Sequence, residues 1–341
     1  MSDLFHIGCL PNRSIQECLR MGRVSEELGY AGLWAADSHS VMRDAYSILS
    51  VLATQTNSLQ LATGVTHTVT RHPAVLANSW ATLQELSEGR AICGIGVGES
   101  AVHNLGLRPE RLAAFEEKVK VMRALINGET VEYEGKEIQM PWSTQPVPII
   151  MASSGPRSLQ MAGRIADGVL FQVGSDPRFA QYALDNIRLG AEQAGRKLED
   201  LKLYMRIATS VNEDREQAYR EIKGYASVAA GTVFKTVPRE YFDDDLYEDL
   251  SRMKEAYDYA HHGSNTSEHS DLLTERIFKA IAVACPPAEA IERFSTLAAM
   301  GIDGFVWPAG MDDPFPYMES FAEQVMPYVS SAGHEVRVDR A

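Results

Sequence analysis

Glu99 follows three alternating glycines, Gly94, Gly96 and Gly98, at the end of an apolar run. A carboxyl group at the edge of an apolar site is a candidate for proton transfer, because burial can raise its pKa toward the working range. The same glutamate also fits a solvated loop. A second apolar run ends in Asp37-Ser38-His39, which sets an acid beside an imidazole. A third ends in Gly64-Val65-Thr66-His67 and leads into Thr70-Arg71-His72-Pro73. His39, His67, His72 and His103 are candidates for one mouth. The string Ser153-Ser154-Gly155-Pro156-Arg157 reads as a helix start with open backbone N–H groups and an added cation, which is phosphate-binding chemistry. It also fits an ordinary capped junction. No HxH or HExxH spacing occurs, so no metal site is expected, and His261-His262 with His269 reads as a loop feature. The Gly94/Gly96/Gly98 string lacks GxGxxG spacing, so it does not indicate a dinucleotide-binding turn; it suits a flat ring approaching the backbone.

These groups need a scaffold that gathers strand ends. Short apolar runs alternate with helical patterns: 4–11, 14–29, 32–37, 44–56, 59–66, 73–87, 91–98 and 110–127. After a hairpin-like excursion at 130–140, the rhythm resumes at 147–154, 156–166, 168–173 and 176–194. A seventh strand is expected at 201–211, an eighth at 301–310, and a last helix at 313–331. Eight β-then-α units, with strands too apolar to be half-exposed, predict a (β/α)8 TIM barrel with chemistry at the strand C-termini. An open doubly wound sheet is the structural alternative.

Residues 1–341 read as a single domain with a helical insertion at about 212–283, which lacks a strand pattern of its own. Gly224, Gly231 and Gly263 offer flexible points, and Tyr225, Tyr241, Tyr247, Tyr257 and Tyr259 can cover a planar ligand, so the insertion suits a lid. A fixed helix pair is the other reading.

Composition narrows the partners. With 32 Lys and Arg against 46 Asp and Glu, the net charge of −14 repels nucleic acid and anionic lipid. An apolar share of 45% over 341 residues suits a large core, and no run approaches the ~18 residues that span a membrane. The start MSDLFHIGCLP is no signal peptide, and cysteines at 9, 18, 93 and 285 form no CxxC pair. A cytoplasmic protein acting on a small molecule is expected, with Cys9 and Cys93 in the core.

The string TGVTHTVTRHPAVLANSWATLQELSEGRAICGIGVGES (63–100) and, in order after it, ASSGPRSLQMAGRIADGVLF (152–171) resemble the luciferase-like (β/α)8 oxidoreductases. The likeness is to the branch around methylenetetrahydromethanopterin reductase and other enzymes of the deazaflavin coenzyme F420. The resemblance implies coenzyme F420, or FMN, as cofactor. With F420, hydride passes to or from a small organic substrate. With reduced FMN from a separate flavin reductase, the enzyme is a monooxygenase. A non-catalytic flavin-binding barrel is a third class. The resemblance also implies a homodimer, and a cis Gly64–Val65 peptide behind the cofactor ring. It places Asp37 beside the cofactor, makes Glu99 an active-site acid, and has Ser153, Ser154, Gly155, Gly174 and Ser175 hold the phosphate tail. The candidate cofactor-binding set is therefore Asp37, Gly64, Val65, Thr66, Gly98, Ser153, Ser154, Gly155, Arg157, Gly174 and Ser175, and the catalytic set Glu99, His39 and Asp37. Deazaflavin enzymes usually read Asp-His where this chain reads Asp37-Ser38-His39, so either His39 or Ser38 takes the place near the reacting centre.

Overall fold

The apolar runs expected as strands are strands in the computed structural model, which describes residues 4–256 and 268–329. In chain order they are β1 (Phe5–Cys9), β2 (Gly32–Ala35), β3 (Gln60–Thr63), β4 (Thr66–His67) and β5 (Ala91–Gly96). Then come β6 (Val131–Tyr133), β7 (Lys136–Ile138), β8 (Ile149–Ser153), β9 (Gly168–Phe171) and β10 (Lys202–Arg206). β11 (Ala208–Val211), β12 (Ala282–Cys285) and β13 (Gly304–Pro308) complete the set.

The helices are α1 (Ile15–Glu27), α2 (Ala45–Gln55), α3 (Pro73–Leu86), α4 (Ser100–His103), α5 (Leu112–Ile126) and α6 (Pro156–Ile165). They continue as α7 (Pro177–Gln193), α8 (Arg215–Thr236), α9 (Asp244–Glu255), α10 (Glu275–Ile281), α11 (Pro287–Ala299) and α12 (Phe315–Gln324). Their starts follow local chemistry. Ser14 and Glu17 form a capping box on α1, Asp44 caps α2, and Pro73 opens α3 behind His72.

Eight parallel strands close in the order β3-β2-β1-β13-β10-β9-β8-β5, with β5 pairing back to β3. This is the expected (β/α)8 barrel, with its helices outside. β4 carries the third strand beyond Gly64 and Val65 and pairs with β5. The interior is solid. Trp34, Ala62, Ile92, Ile150, Leu170, Tyr204 and Val306 come from seven different strands, and His6 on the eighth packs its ring on Trp34 and Tyr204. Such bulk needs small neighbours. A Cβ at Gly304 would stand 2.8 Å from the Tyr204 ring, and one at Gly94 2.0 Å from the Thr63 carbonyl.

The 130–140 excursion is a two-stranded hairpin whose Glu134-Gly135 turn has φ of 50° and 73°. The insertion differs from expectation at its end. α8, α9 and α10 are helical, but Ala282–Cys285 then forms β12, parallel to β11 in register Ala208↔Ala282. Four small or β-branched residues buried on both sides suit a strand, and their run directly off α10 hides that in the sequence. Gly224 and Gly231, expected as flexible points, lie inside the 22-residue helix α8. Tyr257, Tyr259, Gly263, His261 and His262 lie outside the described residues. Cys9, Cys18, Cys93 and Cys285 are buried free thiols. Among the described residues, no helix is long and apolar enough to cross a membrane, and no His, Cys, Asp and Glu cluster is arranged to hold a metal.

Candidate active site

The C-terminal ends of β2, β3 and β4 bring Asp37, His39, Thr66, His67 and Arg71 together. Asp37 is 3% exposed, and a buried carboxylate must find partners. Arg71 Nη1 donates to its Oδ2 at 2.5 Å, Thr66 Oγ1 donates to the same oxygen at 2.7 Å, and Arg71 Nη2 reaches Oδ1 at 3.4 Å. Arg71 also meets Asp44 at 3.3 Å and lies over the Tyr46 ring. Burial works against the Arg71 charge, but the hydrogen bond and charge of Asp37 outweigh it and hold the guanidinium above its usual range. Sequence reasoning assigns Arg71 no role, since its partner lies 34 positions away.

Asp37 is therefore the anion of a closed pair. His39, 3.6 Å from Asp37 through Nδ1, is the more available group. Its Nε2 shares a 2.9 Å hydrogen bond with Thr70 Oγ1, its side chain is 24% exposed, and its ring meets the edge of His67. His39 thus reaches the third strand. His67 is buried, and Val69 N–H donates to its Nδ1, which puts the ring proton on Nε2. Burial lowers the His67 pKa to about 4, the Asp37 charge opposing only in part. It is a neutral imidazole at ordinary pH.

Glu99 does not occupy the buried setting expected of it. β5 ends at Gly96, Gly98 turns the chain with φ of 82°, and Glu99 lies exposed at the start of α4, its carbonyl accepting from Val102 and His103. The glycines before it pack against the third strand and its neighbours. The space at Gly94 is filled by the Thr63 carbonyl and Trp34, and that at Gly96 by Val65 and Ala152. They let the third strand bulge against β5. The Gly64–Val65 peptide in that bulge is cis, as the resemblance implies, and both residues are half-buried where their strand neighbours are buried.

Two strands further round, β8 ends in Ser153 and α6 begins. Gly155 is the N-cap, Pro156 takes the first turn, and no side chain caps it. Ser153 Oγ donates to the Ser158 carbonyl, Ser158 Oγ to the Gly155 carbonyl, and Arg157 is exposed. The Ser154 carbonyl faces the Tyr182 hydroxyl at 3.5 Å. Gly174 and Ser175, expected to hold a phosphate, also make internal contacts. Gly174 has φ of 86° and leaves no room for a Cβ beside the Ala280 carbonyl. Ser175 N–H donates to Ala280, its hydroxyl to Ala282, and Arg293 donates to that hydroxyl at 2.6 Å. Both residues fasten the β9 loop to the end of the insertion.

A small cleft at the strand ends is walled by Gly8, Cys9, Leu10, Trp34, Ala36, Gly64, Leu170, Arg206 and Val306. Of the insertion tyrosines that are described, Tyr225 reaches this mouth, beside Arg206. Tyr241 packs on Tyr182, and Tyr247 on Phe234 and Phe242. Gly64 thus lines the cleft, while His39 and the start of α6 lie outside its wall.

Residues 3–304 match the family model described as luciferase-like monooxygenase. A 5,10-methylenetetrahydromethanopterin reductase from Methanolobus tindarius is 29% identical over 310 residues, covering 89% of this chain and 93% of that one. An F420-dependent glucose-6-phosphate dehydrogenase from Nakamurella multipartita is 30% identical, covering 82% and 80%. The solved structure of the coenzyme F420-dependent tetrahydromethanopterin reductase from Methanopyrus kandleri superposes with a TM-score of 0.79 at 24% identity, covering 97% of this chain and all of the other.

Proposed function

The chain belongs to the luciferase-like monooxygenase family, and from that premise we propose that it is an oxidoreductase that uses the deazaflavin coenzyme F420 to move hydride to or from a small organic substrate. What carries the reading is one rim that joins the half-exposed Gly64–Val65 backbone, His39 beside the closed Asp37–Arg71 pair, and the uncapped first turn of α6. The relative from Nakamurella multipartita, named as F420-dependent, supports the choice of cofactor.

The residues fit such a group. Gly64 and Val65 present backbone and one small side chain as backing for a flat ring. The first turn of α6, with Ser153, Ser154, Gly155 and Arg157 around it, presents donors and charge for a phosphate tail. When bound, the deazaflavin supplies hydride transfer at a ring carbon. The protein positions, excludes water and manages the proton. Asp37 and Arg71 neutralise one another, so the pair fixes the rim without adding net charge. His39, steadied by the Thr70 hydroxyl, holds or takes the proton that accompanies hydride. Glu99 stands at the open edge as a second acid, and Gly98 turns the chain so that it does.

The same reading takes residues 1–341 as a single domain with the 212–283 insertion, and the enzyme as a cytoplasmic homodimer. The test is a fluorescence and absorbance titration of the protein with F420 and with FMN. Tight binding of F420 alone supports the proposal. Tight binding of reduced FMN alone, with oxygen uptake when a flavin reductase is added, turns the assignment to a monooxygenase.

A further inference from the structure

Among the described residues, Arg206 is the charged side chain in the wall of the cleft, whose other walls are apolar side chains and backbone. It ends β10, which lies four strands from β3 in either direction around the closed barrel. The proposed ring backing is on β3 and the proposed tail site on β8. Arg206 therefore faces the cleft from the side left for substrate.

The guanidinium is half-buried, with no carboxylate within ion-pair distance among the described residues, and its ring neighbour is Tyr225 of α8, 5.4 Å away. Other partly buried arginines of this chain fill their donors. Arg71 holds Asp37 and Asp44, Arg123 chelates Asp167, and Arg90 makes four hydrogen bonds. Arg206 meets the Tyr225 side chain but no carboxylate among the described residues, so most of its donors have no anionic partner. Burying a cation without an anion is costly, and an incoming anion removes that cost.

The choice of anion follows from charge and shape. A guanidinium fork matches a planar carboxylate with two parallel hydrogen bonds. One cation balances one negative charge. A phosphate dianion would leave about one charge uncompensated among Trp34, Leu170 and Val306, in a chain whose net charge is −14. We propose that Arg206 recognises the substrate, and that the substrate is an organic monocarboxylate with an apolar body. Its carboxylate sits on Arg206 under Tyr225, and its reacting carbon points toward β3. This rests on the F420 reading for which side of the cleft is the substrate's.

The test is calorimetric titration with hexanoate and benzoate, against hexanol, benzyl alcohol and inorganic phosphate, on protein with and without F420. Wild type should bind a carboxylate at least tenfold more tightly than its alcohol or phosphate. R206Q should lose about tenfold or more of that affinity, R206K should keep part of it, and both should bind F420 as wild type does and melt within a few degrees of it. Phosphate binding as tightly as the carboxylates, R206Q matching wild type, or no carboxylate binding at all would overturn the proposal. Failure of wild type to bind F420 would instead contradict the cofactor reading, and the carboxylate titration on cofactor-free protein is read separately.

Discussion

Replacing Arg71 by Met keeps the length and apolar stem of the side chain and removes the cation. Asp37, whose side chain is 1% exposed, is then left with the Thr66 hydroxyl as its remaining close donor. Breaking a buried ion pair by removing one partner costs roughly 3–5 kcal/mol, because the other charge stays buried alone. Arg71 is itself 18% exposed and Thr66 stays in place, so the lower end applies, about 3 kcal/mol at pH 7. D37N leaves Arg71 with the more exposed Asp44, and should cost about 2 kcal/mol. If the two residues act on each other, the double variant should cost about 3 kcal/mol rather than the sum, a coupling of about 2 kcal/mol. Urea unfolding of the four proteins measures this directly. An R71M cost below about 1 kcal/mol, or costs that simply add, would show that the pair is incidental to the rim.

Four further outcomes follow from the same geometry. His67, neutral in the fold down to a pKa of about 4, should make stability fall as acid protonates the unfolded chain, by about 2 kcal/mol between pH 7 and pH 5; H67N should flatten that part of the melting-temperature profile. S175A should lower stability by about 1–3 kcal/mol through the lost hydrogen bonds to Arg293 and Ala282 while leaving F420 affinity unchanged; weakened cofactor binding at full stability would return Ser175 to the tail site. G94A, whose Cβ would stand 2.0 Å from a backbone oxygen, should fold poorly or lose more than about 3 kcal/mol, and G96A, with 3.3 Å to a side chain, should lose far less in a thermal melt. On any substrate that is turned over, H39Q should depress turnover by roughly 10²–10⁴ and remove one limb of the pH–rate profile, with cofactor affinity within a few-fold; E99Q is the comparison, and a larger loss there would move the proton to Glu99.

The barrel was legible because parallel strands covered on both faces are apolar at every position, so GLWA, AICGIG and GVLF stand out as runs with no alternation. Helix starts were legible for a local reason, since caps such as Ser14 and Asp44 act within three residues. β12 escaped because its four residues continue the apolar pattern of α10 without a break, and only the pairing with β11 across the whole insertion makes them a strand. The site followed the same division. Asp37, His39, Gly64 and His67 could be placed at strand ends from the order of the runs. The closed Asp37–Arg71 pair, the Ser175–Arg293 tie across 118 positions and the exposure of Glu99 depend on how loops fold back over the rim, which no local spacing encodes. The glycine string shows a packing need that spacing alone does not reveal: its missing side chains make room for Thr63, Trp34 and Val65.

The most direct measurement of the central claim is a crystal structure of the protein soaked with F420. The account predicts the deazaflavin ring in van der Waals contact with Gly64 and Val65, its phosphate on the first turn of α6 beside Arg157, and His39 nearer the ring than Ser38. A ring seated elsewhere on the barrel, or a phosphate held at Gly174 and Ser175 with α6 untouched, would contradict it.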